Sequence, residues 1–198
     1  MPRPLRSFQP NGVYHVLNRG NDRQCLFPTS DAFEEFLELM AWAKRRSPVR
    51  LIAYCIMPNH WHFIIWAEQS LSIPRFLHRL CTTHAVKSRR EAGTLGEGHI
   101  YQGRYHSFGI ESEAYYFRAI RYVEANAVRS HLVQNARDWR WSSLAERLGR
   151  RRGLLDDGPL VLPANWPDLV EEALPADFLG DIRKRTGRDF KNCHSGES

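Results

Sequence analysis

The sequence predicts an α+β fold, an antiparallel sheet with helices on one face, followed by a helical extension. Three observations carry this. One segment near the start, GVYHVLNRG, alternates as a half-buried strand does. Two further β-rich runs are separated only by Pro58 and Asn59. Three longer stretches place apolar residues at helical spacing.

In the first run Val13, His15 and Leu17 fall on one side, Tyr14, Val16 and Asn18 on the other, and Gly20 ends it. TSDAFEEFLELMAWAKRRS follows, with a polar cap at Thr29 to Asp31, apolar Phe33, Phe36, Leu37, Met40 and Ala41, and cations before Ser47 and Pro48. These are helix start and stop signals. VRLIAYCIM and HWHFIIWA then read as an antiparallel pair across a short turn. SIPRFLHRLCTTHAVKSRREA buries Phe76, Leu77, Leu80 and Ala85 and carries Arg75, Arg79, Lys87, Arg89 and Arg90 on its other face. A fourth strand is expected around Ile100 to Ile110. Ser112 then caps a helix, SEAYYFRAIRYVEANAVRSHL, whose stripe of Tyr116, Ile120, Val123 and Ala127 faces the core. The order βαββαβ plus a further helix is ferredoxin-like. WRWSSLAERLGRRR is expected to be helical and basic, and the polar end KRTGRDFKNCHSGES is expected to be disordered.

The chain has 198 residues, 28 Lys and Arg against 22 Asp and Glu, and a formal net charge of +6. Only Lys44, Lys87, Lys184 and Lys191 are lysines. Guanidinium grips phosphate oxygens bidentately, so the balance favours nucleic acid over a merely solvated basic surface, though charge alone does so only slightly. Cys25, Cys55, Cys81 and Cys193 show no CxxC spacing, so neither a zinc knuckle nor a disulfide framework is suggested. Reduced thiols, no signal-like apolar segment at the start and no run of membrane-spanning length predict a soluble cytoplasmic protein with no membrane partner.

The stretch MPNHWHFIIWA carries His60 and His62 one residue apart. On a strand both point to one face, about 6–7 Å apart, and can converge on one divalent ion. Nine histidines in 198 residues give roughly 0.4 such pairs by chance, so the spacing alone decides nothing. A metal needs a third donor, and chemistry needs a reacting group. The last long helix offers both: Tyr122 and Asn126 lie four apart on one face, with Arg129 a turn further. This face lies off the apolar stripe, so Tyr122 is not expected in the core. Tyr115 shares it and is the rival candidate. An amide oxygen with imidazoles suits Mg²⁺ or Mn²⁺.

Four blocks in order, GVYHVLNRGNDRQCLF, YCIMPNHWHFIIW, YQGRYHSF and RYVEANAVRS…DWRWSS, resemble the REP-associated tyrosine transposases, relatives of the single-strand insertion-sequence transposases of the HUH, single-tyrosine class. The match runs from about Gly12 to Leu148. It implies an HUH domain over residues 1–135 and a C-terminal extension over 136–198. It implies Tyr122, not Tyr115, as nucleophile, and His60, His62 and Asn126 as ligands of Mg²⁺ or Mn²⁺. Two departures stand out: Ala127 where the family usually has proline, and Tyr101 where tryptophan is common.

The resemblance further implies cleavage and rejoining of single-stranded DNA with hairpins through a 5′-phosphotyrosine link, by a monomer or homodimer. Single-strand binders combine cations with aromatic platforms. Arg19, Arg23, Arg75, Arg79, Arg104 and Arg129 are the candidate cations. Tyr101, Tyr105, Tyr14 and Trp141 are candidate stackers, each with a core role as its alternative. The competing functions are a non-cleaving hairpin-binding protein and a metal phosphodiesterase that uses water.

Overall fold

A computed structural model describes residues 8–94, 96, 98–150 and 153–186. The first six elements are β1 (Gly12–Arg19), α1 (Ser30–Arg46), β2 (Arg50–Met57), β3 (His60–Ala67), α2 (Ser72–Glu91) and β4 (His106–Ile110). The four strands form one antiparallel sheet in the order β2-β3-β1-β4. This is the expected βαββαβ arrangement.

Alternation along β3 divides its side chains between two cores. Trp61, Phe63 and Ile65 pack with Phe33, Phe36, Leu37 and Met40 of α1 and Ile73, Phe76, Leu77 and Leu80 of α2. His60, His62 and Ile64 point the other way. Burial on both faces explains why β2 and β3 read as almost unbroken apolar runs rather than alternating ones. The Thr29 hydroxyl accepts from the Ala32 N–H at the start of α1, as its sequence position suggested.

Helices were expected on one face of the sheet only, but the second face is covered as well, by α3 (Glu113–Glu124), α4 (Asn126–Arg129), α5 (Ser143–Arg147), α6 (Trp166–Glu171) and α7 (Ala176–Thr186). Tyr116, Ala119, Ile120 and Val123 of α3 meet Ala53, Cys55, Met57 and Ile64 of the sheet. Trp166 of α6 and Phe178 and Ile182 of α7 close over them. The chain after Ala136 also covers the exposed edge of β2. Ile56 N–H donates to Trp141 O, Tyr54 N–H to Ser143 Oγ, and Leu51 N–H to Asp156 Oδ2. An edge strand left with such donors unpaired invites pairing with another chain.

Four elements differ from the sequence reading. β4 begins at His106; Tyr101 forms only an isolated bridge to Gly20, and bends at residues 102–104 separate the two. The helix expected to run through Leu132 breaks at Ala125, whose φ/ψ of −88°/9° leaves the α-helical well. WRWSSLAERLGRRR is helical only over Ser143–Arg147, because Trp141 and Ser142 are drawn along β2, with Ser142 bridging Cys55. α7 takes in Lys184 to Thr186, the first residues of the expected disordered end; residues 187–198 lie outside the described residues.

Candidate functional site

Register places the two histidines. His60 opens β3 opposite Arg19, and His62 pairs with Leu17 on β1 and Cys55 on β2. Both rings are fully buried on the face that α3 covers, with centroids 5.1 Å apart. Asn59 Oδ1 accepts from His60 Nδ1 at 2.6 Å, so the lone pair of that neutral ring is on Nε2. His62 Nδ1 lies 2.9 Å from Nε2 of a third buried histidine, His15 of β1. Burial pushes His15 and His60 down to about 3, helped by the charge of Arg129 and, for His60, first by Arg19. His62 is held well below the usual range for the same first reason. Neutral imidazole is the form that binds metal.

Tyr122 comes to this cluster from α3. Its ring centroid is 5.9 Å from those of both His15 and His62. It is buried, 2 % exposed, against the expectation that its helix face lies outside the core. The reason is α7, an element the apolar stripe could not reveal: Phe178 packs 6.4 Å from Tyr122 and 5.1 Å from Tyr115. Tyr115 points to α7, where Arg185 stands over its ring at 5.0 Å and burial raises its hydroxyl to about 12. Of the two tyrosines, Tyr122 is the one with histidine rings beside it.

Asn126 starts α4 and is 3 % exposed. Its neighbour Ala127 offers a backbone hydrogen bond to the thiol of Cys55, the cross-strand partner of His62. The Asn126 Nδ2 is buried with no hydrogen-bond partner among the described residues. Two neutral imidazoles and an amide oxygen are a donor set that fits Mg²⁺ or Mn²⁺. Among the described residues no three His, Cys, Asp or Glu side chains are grouped to hold a metal.

The arginines divide by location. Arg129 stands over the Tyr122 ring at 4.0 Å. Arg19 ends β1 beside His60 and donates to Gln102. Gly20 N–H bonds Asn59 O and Asn21 N–H bonds Ile100 O, which brings the Arg23 turn and the Arg104 loop to the same end of the sheet. Arg75 and exposed Arg79, which donates to Ser47, are on α2, across the sheet from Tyr122. Tyr101 is buried and accepts from Trp61 Nε1, with His84 Nδ1 at 2.8 Å, so its ring serves the core rather than a base. Trp141 stacks on Phe33, Tyr14 packs on Phe8, and Tyr105 is half-buried against the same core.

Sequence reasoning passed over two residues here. His15 lay in plain alternation with Val13 and Leu17, and its inward side was the available signal. Glu124, between Tyr122 and Asn126, is a fully buried carboxylate accepting from Ser143 Oγ at 2.5 Å, Trp166 Nε1 at 2.7 Å and Arg147 Nε at 2.8 Å. Its partners lie on elements that spacing along one helix cannot disclose.

No curated protein matches the chain. Among solved structures, a REP-associated tyrosine transposase bound to a REP hairpin is similar, with a TM-score of 0.58 and 18 % identity over 82 % of this chain and 100 % of that one. A proposed transposase from Deinococcus radiodurans is similar with a TM-score of 0.43 and 17 % identity over 62 % of this chain and 96 % of that one. The first likeness bears out the α+β fold. The family model described as "Transposase IS200 like" matches residues 9–126, which contain β1 through α3 with both histidines, Tyr122 and Asn126. By that match over more than half its length, the chain belongs to the IS200-like transposase family.

Proposed function

We propose that this protein cuts and rejoins hairpin-bearing single-stranded DNA, with Tyr122 as nucleophile. The observation that carries the reading is the Tyr122 ring lying 5.9 Å from His15 and His62, with the Arg129 cation over it. The Tyr122 hydroxyl gives up its proton to the surroundings as its oxygen attacks phosphorus. The bond from phosphorus to the 3′ oxygen breaks, its electron pair leaves on that oxygen, and a proton from the surroundings makes it a hydroxyl. The 5′ phosphate stays on Tyr122, and the reverse attack by another 3′ hydroxyl reseals the strand without ATP.

His60, His62 and Asn126 would hold the divalent ion, Mg²⁺ or Mn²⁺. When bound, that ion polarises the phosphate and stabilises the departing oxygen. Arg129 offers a guanidinium at the point where negative charge gathers on phosphate and phenol oxygens. Arg19, Arg23 and Arg104 gather at the end of the sheet where β3 begins and suit the backbone of an incoming strand. The structural relative binds a REP hairpin, and we extend that class of partner to this chain. Tyr122 stands beside histidines of its own chain, which supports a reading in which one copy supplies both the nucleophile and the two histidines.

Incubation with labelled hairpin oligonucleotides and Mn²⁺ tests the reading on a denaturing gel. The expected result is a protein–DNA adduct from the wild type, none from Tyr122→Phe, and equal hairpin binding by both. Cleavage that leaves both strands free would instead mean a water-using phosphodiesterase. Binding without cleavage would mean a hairpin-binding protein.

A further inference from the structure

His15 is the one member of the buried histidine cluster that the proposed chemistry leaves without a task. It sits on β1, fully buried, with its ring 4.7 Å from Phe108 of β4 and 5.9 Å from Tyr122. Its Nε2 is 2.9 Å from His62 Nδ1, with ring centroids 5.1 Å apart and planes at 43°. Its Nδ1 is buried with no hydrogen-bond partner among the described residues.

Between two neutral imidazoles one ring must donate and the other accept. If His15 donates, the His62 proton is on Nε2, and that nitrogen has no lone pair for a metal. If His62 donates, its proton is on Nδ1 and Nε2 can ligate; the His15 proton is then on its own Nδ1. A burial this complete favours neither ring as donor through solvent, so the balance is set within the pair.

We infer that His15 is a positioning residue that accepts the Nδ1 proton of His62, thereby fixing both the ring plane and the tautomer in which His62 Nε2 can ligate a divalent ion. The inference rests on the reading of His60, His62 and Asn126 as the metal set. Asn59 Oδ1 holds His60 in the equivalent tautomer, so each of the two ligand rings has its own acceptor. Such outer partners of a ligating histidine commonly contribute about 10–100-fold in metal affinity.

The test measures Mn²⁺ affinity of the metal-free protein by titration calorimetry, without DNA. His15→Phe keeps the ring volume and removes the acceptor; His15→Gln restores an acceptor. The expected result is about 10–100-fold weaker binding by His15→Phe, substantial recovery in His15→Gln, and unchanged hairpin binding by both. Nitrogen-15 spectra of the metal-free, histidine-labelled wild type supply a readout that packing alone would not move: His62 should already be protonated on Nδ1 before any metal is present. Wild-type affinity in His15→Phe, or His62 protonated on Nε2 in the metal-free wild type, overturns the role of His15. The spectra decide the matter if His15→Phe does not fold. If the wild type takes up no Mn²⁺, or His60→Ala takes it up unchanged, the metal-site reading itself falls and the inference with it.

Discussion

The guanidinium carbon of Arg129 stands 4.0 Å from the centroid of the Tyr122 ring. Seven residues along an unbroken helix would separate the two by about 10 Å of axial rise. The Arg129 side chain reaches back past the break at Ala125 to lie on the phenol. Arg129 Nη1 is buried with no hydrogen-bond partner among the described residues, so a donor is available for an incoming phosphate oxygen. Arg129→Ala should slow adduct formation by roughly 10²-fold, as loss of one oxyanion donor does. Arg129→Lys should fall between, since it keeps charge but not the planar stack. Single-turnover rates with a hairpin substrate check both.

Tyr122 is only 2 % exposed, yet an attacking oxygen must come within about 3–3.5 Å of phosphorus. Phe178 is part of what covers it. Phe178→Ala should lower stability by about 3–5 kcal/mol, the usual cost of emptying a buried aromatic site. The same change should make Tyr122 more reactive to tetranitromethane. Peptide mass spectrometry reads the second effect, and unchanged nitration would mean that Phe178 only packs.

Glu124 binds α3 to α5 and α6 through Ser143, Arg147 and Trp166. Removing the carboxylate strands the half-buried Arg147 cation and two polar donors. Glu124→Ala should therefore cost about 3–5 kcal/mol in urea unfolding. Glu124→Gln keeps an accepting oxygen and should cost less.

β1, α1 and α2 were legible because each carries its own periodicity, β1 alternating and the two helices repeating their apolar residues at helical spacing, whereas β2 and β3 were legible as short β-rich runs across the Pro58–Asn59 turn. Strand alternation put His60 and His62 on one face, but helix spacing left Tyr115 as a rival to Tyr122, and it was the resemblance that joined Tyr122 to the histidines. What escaped was set by contacts between distant segments. The break at Ala125 lies within a segment of sound helical composition. Tyr122 is buried by Phe178, more than fifty residues away in sequence. His15 gained meaning only when pairing set β1 beside β3.

His84 gives a pH test away from the candidate site. It is buried on α2 between Phe27 and Phe36, with Nδ1 2.8 Å from the Tyr101 hydroxyl. Burial, and then the charge of Lys87, lower it from 6.5 to about 4. The unfolded chain therefore takes up the proton first. The stability tied to the neutral ring is fully present above pH 6.5 and is lost as pH falls from there toward 4. Between pH 7 and pH 5 that loss is about 2 kcal/mol, and it levels off near 3 kcal/mol below pH 4. His84→Gln can still bond to Tyr101 but does not titrate, so its urea-unfolding free energy should fall about 2 kcal/mol less than that of the wild type over the same interval. The other buried histidines titrate alike in both proteins and cancel in the difference. Equal pH slopes would show that His84 is protonated as readily in the folded chain as in the unfolded one.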